Sequence, residues 1–130
     1  TEIKAGHIYI SPGDQHLKIS RHIDQFIIDY DTSGRWNGCP TSVDSLFGSA
    51  TVVCNDWKVI TLILTGMGKD GTEGLKKLRS YNAVYSVAQD EESSVVWGMA
   101  GNAVQENLID KELPLQAIAA HLISTLKSRR

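Results

Sequence analysis

The sequence predicts an α/β protein: a doubly wound, mostly parallel sheet with helices on both faces and an antiparallel β-hairpin near the amino terminus, Rossmann-like in outline. Three observations carry this. Val59 to Leu64 reads VITLIL, an almost unbroken apolar run rich in Val and Ile, the pattern of a strand buried on both faces. The run stops at Thr65, three glycines follow within six residues (Gly66, Gly68 and Gly71), and a helical pattern then covers Glu73 to Tyr81. A second short apolar strand runs from Ala83 to Ala88. Strand, glycine-rich turn and helix is the layout that places side chains at the carboxyl edge of a parallel sheet, where open α/β folds build their sites.

In chain order, Gly6 to Tyr30 reads as paired strands. His7–Ile10 is the first, Ser11-Pro12-Gly13-Asp14 is turn chemistry, and Leu17–Ser20 alternates apolar and polar. A turn near His22 to Gln25 leads into a third strand, Phe26–Tyr30. His16, beside a turn, reads as a solvated or turn-bonded histidine. Asp31 to Pro40 is a loop whose Trp36 serves packing. Thr41 opens a helix; Thr41-x-x-Asp44 resembles a capping box, and Val43, Leu46, Phe47 and Ala50 make one apolar face. Leu75 and Leu78 share a face of the central helix, which Asn82 ends. Gln89 to Ser94 is a polar strand end. A short helix is expected from near Ser94, limited by Gly98 and Gly101. Leu115, Ile118, Ala119, Leu122, Ile123 and Leu126 define a last amphipathic helix, opened by Pro114, whose stripe is expected to pack on the sheet.

The 130 residues are one domain's worth. The net charge of −2 supplies no field to recruit nucleic acid or an anionic membrane, and the basic end Lys127–Arg130 reads as a solvated helix terminus. No apolar run approaches the roughly 20 residues of a membrane helix, so no membrane insertion is expected. Cys39 and Cys54 form no framework, no signal peptide is visible, and a reduced, cytoplasmic chain is the expectation. The four histidines lack metal-ligand spacing, so neither a metal nor a cofactor is expected.

The turn after the central strand supports three readings. Gly66-x-Gly68-x-x-Gly71 matches the dinucleotide fingerprint, with Asp90 as the acidic partner further on. In that reading a pyrophosphate sits on backbone N–H groups at the helix start, and Asp70 would place a carboxylate beside that anion. Alternatively Asp70, held by a tight turn at a strand end, orients a histidine in a Ser-His-Asp arrangement. Third, Asp70 with Glu73 fits D-x-x-E, a plain cap of the following helix.

Four motifs bear on the choice. Leu64-Thr65-Gly66-Met67-Gly68-Lys69-Asp70-Gly71 resembles the signature of the chemotaxis protein-glutamate methylesterases, the CheB family. So do Ala88 to Met99 (AQDEESSVVWGM), Pro40 to Phe47 (PTSVDSLF) and Gly6 to Leu17 (GHIYISPGDQHL), in the family's order and over nearly the whole chain. One departure is local: members commonly carry Met-Pro where this chain has Met99-Ala100.

The resemblance implies a serine esterase that removes methyl groups from glutamate γ-methyl esters on the cytoplasmic domain of a chemoreceptor, some members also deamidating glutamines. It implies Asp70 as the triad aspartate and the backbone N–H of Met67, set between Gly66 and Gly68, as an oxyanion donor. Thr41 and Ser42 would lie near the substrate cleft. The family's serine, in a G-x-S-x-G-G-like turn, and its histidine belong to a segment placed before Gly6, and no serine of this chain sits in G-x-S-x-G. The chain starts at Thr1 and its first methionine is Met67. The expectation is therefore the carboxyl-terminal part of a methylesterase domain, residues 1–130, without the receiver domain that regulates many members and inactive alone. The alternative is a receptor-binding module that has lost catalysis. A truncated sheet would expose a strand edge, so self-association is also expected.

Overall fold

The computed structural model describes residues 1–12, 15–31 and 43–128. Along these run β1 (His16–His22), β2 (Gln25–Asp31), α1 (Val43–Val53), β3 (Lys58–Ile63), α2 (Thr72–Tyr81), β4 (Ala83–Gln89), α3 (Gly98–Gln105), β5 (Lys111–Leu113) and α4 (Leu115–Ser128). The architecture is mixed α/β: β1 and β2 form an antiparallel hairpin, and β3, β4 and β5 form a three-stranded parallel sheet in that order. The expected Asp31–Pro40 loop, with Trp36 and Cys39, falls outside the described residues beyond Asp31, as do Thr41, Ser42, Gly13, Asp14 and the last two arginines.

The chain divides into two compact units, Thr1–Val59 with Asp70–Val84, and Ile60–Lys69 with Tyr85–Arg130. In the first unit the hairpin register pairs Ile19 with Ile28 and closes at His22 and Gln25. Helix α1 packs on β1 and on α2. Ser49 of α1 accepts the Ile19 N–H at 2.9 Å through its hydroxyl. Leu75 and Leu78, on one face of α2, are 0% and 1% exposed and join Ile28 and Ala50 in the core. Asn82 ends α2 as expected, its side-chain amide donating to the carbonyls of Leu78 and Thr51, each at 3.1 Å. In the second unit β4 and β5 run parallel, with Val87 opposite Lys111 and Gln89 opposite Leu113. The Thr61 hydroxyl donates to that of Ser86 at 2.9 Å, and the Ser86 N–H donates to the Asp110 carboxylate at 2.8 Å. Ile63, Val87, Ala88, Ala100, Ala103 and Ile118 are buried there.

Several expectations need correction. His7–Ile10 is not a strand: Ile8 is 91% exposed, and Tyr9 turns back so that its hydroxyl accepts from the Lys4 N–H and donates to the Glu2 carbonyl. The edge of β2 is instead taken by the first residues, Ile3 donating to Phe26 and Ile28 donating to Thr1. His16 is buried at the start of β1 rather than solvated. On β3 burial is concentrated at Thr61 and Ile63, and Leu64 lies beyond the strand and is exposed. The third helix begins at Gly98, not near Ser94, and contains Gly98 and Gly101 rather than being limited by them. The reason is a side-chain-closed turn: Asp90 accepts the N–H and hydroxyl of Ser93 at 3.0 and 2.6 Å, which holds Ser93 out of a helix. On α4 only Ile118 is buried, while Leu115, Ile123 and Leu126 are exposed, so its stripe is not simply core. Strand β5 was not foreseen, because three residues, two of them charged, carry no period-two signal.

Candidate active site

Asp70 lies between β3 and α2, and the cap position of the helix that follows is taken by the next residue. Helix α2 has Gly71 at its cap position, with φ of +99°, and Gly71 itself brings no capping side chain. Glu73 reaches Lys76 at 3.5 Å instead of completing a capping box with Asp70. The Asp70 carboxylate turns to α1, 26 and 27 residues earlier in sequence. Oδ2 accepts the Val43 N–H at 2.8 Å and Oδ1 accepts the Asp44 N–H at 2.9 Å. First-turn N–H groups of a helix have no intrahelical acceptor and carry its positive dipole end, so a carboxylate is their natural partner. Both oxygens of Asp70 are thereby fixed in direction.

The arrangement is reciprocal. Asp44, in the first turn of α1, sends its own Oδ1 to the N–H groups of Gly71 at 3.0 Å and Gly74 at 2.8 Å. Two helix starts thus exchange carboxylates. Asp44 is only 6% exposed. Burial pushes its carboxyl above the usual carboxylate range, with the Asp70 charge adding to the rise; the Gly74 and Gly71 N–H groups oppose it. The expected capping box from Thr41 to Asp44 concerns a residue outside the described set, and the Asp44 carboxyl is engaged with the α2 start. Gly71 and Gly74 are among the N–H donors at this helix start to which a pyrophosphate would turn, and Asp44 already occupies them. Asp90 is likewise committed to its own turn with Ser93. The geometry therefore opposes the dinucleotide reading.

The glycine turn itself is held within the second unit. The Thr65 N–H donates to Gln89 Oε1 at 2.9 Å, Gly66 donates to the Val96 carbonyl at 2.9 Å, and the Met99 N–H donates to the Gly66 carbonyl at 3.0 Å. Gln89 is 1% exposed, and its amide nitrogen donates to the Ser93 carbonyl at 2.8 Å. Gly98 opens α3 directly against the turn: a Cβ there would lie 3.1 to 3.2 Å from Gly68 N, Gly66 O and Gly68 O. Gly68 has φ of +85°, a backbone state that L side chains rarely adopt. The loop bearing Met67 is therefore a built backbone feature. Among the described residues no acceptor takes the Met67 N–H. The Met67 side chain is exposed.

Thr41 and Ser42 lie outside the described residues. Asp44, Gln89 and Gly98 were missed as site residues. Asp44 had a readable signal, an acid at the start of a helix, but that signal points to a local cap and not to a second helix 27 residues away. Among the described residues no three His, Cys, Asp or Glu side chains gather as a metal site, and no helix is long and apolar enough to cross a membrane.

With this geometry in hand, the family model described as CheB methylesterase matches residues 1–122. The chain belongs to the CheB methylesterase family. Its relatives in the family include a protein of Saccharophagus degradans named protein-glutamate methylesterase/protein-glutamine glutaminase 2. It is 41% identical over 121 residues, which cover 93% of this chain and 34% of that protein. A Hahella chejuensis protein named protein-glutamate methylesterase/protein-glutamine glutaminase 1 is 43% identical, over 91% of this chain and 32% of its own length. The crystal structure of the Thermotoga maritima CheB methylesterase catalytic domain superposes with a TM-score of 0.86 at 35% identity, covering 96% of this chain and 65% of that one. The chain thus spans about a third of the length of the curated relatives it matches.

Proposed function

We propose that this chain is the aspartate-bearing part of a protein-glutamate methylesterase, a serine hydrolase that cleaves glutamate γ-methyl esters on the cytoplasmic domain of a chemoreceptor to glutamate and methanol. The observation that carries it is Asp70: a carboxylate in the turn between β3 and α2, inside the family's signature, aimed by two backbone N–H groups of α1.

The role follows from the chemistry of the hydroxyl nucleophile. A serine attacks the ester carbonyl only if a histidine takes its proton, and the histidine needs a fixed tautomer and a stabilised cation. The Asp70 carboxylate, held in direction by α1, is the group that would accept the imidazole N–H and stabilise the cation. The Met67 N–H, held between Gly66 and Gly68, is offered to the oxyanion of the tetrahedral intermediate; removing one such donor typically costs about 2.7–4 kcal/mol of transition-state stabilisation. The leaving methoxide takes the proton from the imidazolium, and water releases the glutamate. Thr41 and Ser42 are assigned to the substrate cleft. No cofactor enters. The work is cytoplasmic, and a receiver domain is the expected regulator, as the family resemblance implies.

The test is methanol release from methylated chemoreceptor by the protein as encoded at its own locus. Asp70→Ala is expected to lower turnover roughly 10⁴-fold with the fold retained. An Asp70→Ala protein as active as wild type would sink the assignment. A second reading has its own support: the bonds from Asp70 to α1 are also those of a plain helix cap. In that reading the chain is a receptor-binding module. Wild type then releases no methanol, and Asp70→Ala costs only about 0.5–2 kcal/mol of stability.

A further inference from the structure

We infer that Asp44 is a positioning residue of this site, acting on the triad acid from the other side of its turn. The inference rests on the reading of Asp70 given above.

The two bonds from α1 fix the carboxyl end of Asp70. The next residue, Gly71, has a wide conformational range and sits at φ of +99°. Asp44 restrains this residue as well. Its backbone N–H holds Asp70 Oδ1, and its side-chain Oδ1 holds the N–H of Gly71, the residue that leaves Asp70. The same oxygen reaches Gly74, so the restraint extends into the first turn of α2. One residue therefore grips Asp70 by both ends, its side chain and its outgoing peptide. The close approach depends on Gly74, where an added Cβ would lie 2.9 Å from the Asp44 Cα and carbonyl oxygen.

The choice of residue type also argues for position over stability. A Ser or Thr satisfies first-turn N–H groups without burying a carboxyl beside another one. Neither reaches two N–H groups three residues apart across a gap between helices as a carboxyl does. Placement tolerances in catalysis are tight: a 1 Å error in a catalytic group costs on the order of 10²-fold in rate.

The experiment is a double-mutant cycle between positions 44 and 70 in the protein as encoded at its own locus, with methylated chemoreceptor in membranes as substrate and methanol release as readout. Asp44→Ala is expected to lower kcat roughly 10- to 100-fold with KM nearly unchanged. Asp44→Asn keeps an acceptor oxygen at the same place and is expected to recover most of that loss. The Asp44→Ala, Asp70→Ala double variant is expected to be no slower than Asp70→Ala alone, because the first change acts through the second group. Should Asp44→Ala not fold by circular dichroism, Asp44→Ser replaces it, ending one atom short of the two N–H groups, with the same expected fall. The proposal is overturned if the variant retains full kcat while Asp70→Ala is inactive, if Ala and Asn lose equally, or if the losses at 44 and 70 multiply. An inactive wild type, or an Asp70→Ala protein that is fully active, overturns the triad reading itself and this inference with it.

Discussion

Ile23 turns the hairpin at φ of +60° while 81% exposed. It is the first central residue of a two-residue connection between β1 and β2, and Asp24, the second, has no positive φ. That is the type II′ pattern, which wants glycine at its first position. A β-branched residue there carries a penalty of about 1–2 kcal/mol, and its side chain recovers nothing by burial. Ile23→Gly is therefore expected to stabilise the protein by about 0.5–1 kcal/mol after the extra unfolded-state entropy of glycine is set against the relief. Urea unfolding reads it as a higher midpoint; a lower midpoint would refute the assigned strain. The strain was not legible in the sequence. The turn near His22 to Gln25 was expected, whereas the pair Ile23-Asp24 has a turn residue only at its second position and lacks the glycine that announces a tight hairpin.

At the scale of elements, the packing of α1 on α2 is set by one glycine. A Cβ on Gly74 would lie 2.9 Å from Asp44 Cα, Asp44 O and Phe47 Cβ, and backbone atoms cannot rotate away. Gly74→Ala is expected to destabilise by about 1–3 kcal/mol although alanine is the better helix former. Gly48, inside α1, is the internal control, with nothing within 4 Å of an added Cβ. Gly48→Ala should stabilise by up to about 1 kcal/mol. Thermal or chemical denaturation of the two variants, side by side, distinguishes packing from propensity; two shifts of the same sign would contradict the contact. The helix after the glycine turn was readable, since Leu75 and Leu78 repeat on one face and Asn82 ends it. Its approach to α1 was not, because Gly74 in a helical pattern signals only a weak helix former.

For the molecule as a whole, Asp44 ties stability to pH. Its carboxyl lies above the ordinary value of 3.8 in the fold, first because it is buried and then because Asp70 is near. As pH rises past 3.8 the unfolded chain releases this proton before the folded one does, so the folded state binds more protons and stability falls with pH across that window. Below the window, and above the folded value, the contribution is flat. Asparagine does not titrate. The stability of wild type minus that of Asp44→Asn should therefore decline as pH rises from about 4. A difference that grows with pH would mean that the N–H groups of Gly71 and Gly74 outweigh burial.

The sequence by itself determined the α/β class, the central strand with its glycine turn, the helix after it and the family, because periodicity and motif order are local and are written in consecutive residues. It also singled out Asp70 and the Gly66–Gly68 turn as the place where chemistry would be sought. Only the tertiary structure decided what Asp70 does within the fold. The same acid was equally readable as a cap for α2, and chain order favoured that partner. In the structure it caps α1 while Asp44 serves α2, an exchange between residues 26 to 30 apart. The physical reason is that a helix start presents donors to any acceptor brought within about 3 Å, and which acceptor arrives is fixed by packing, not by sequence distance.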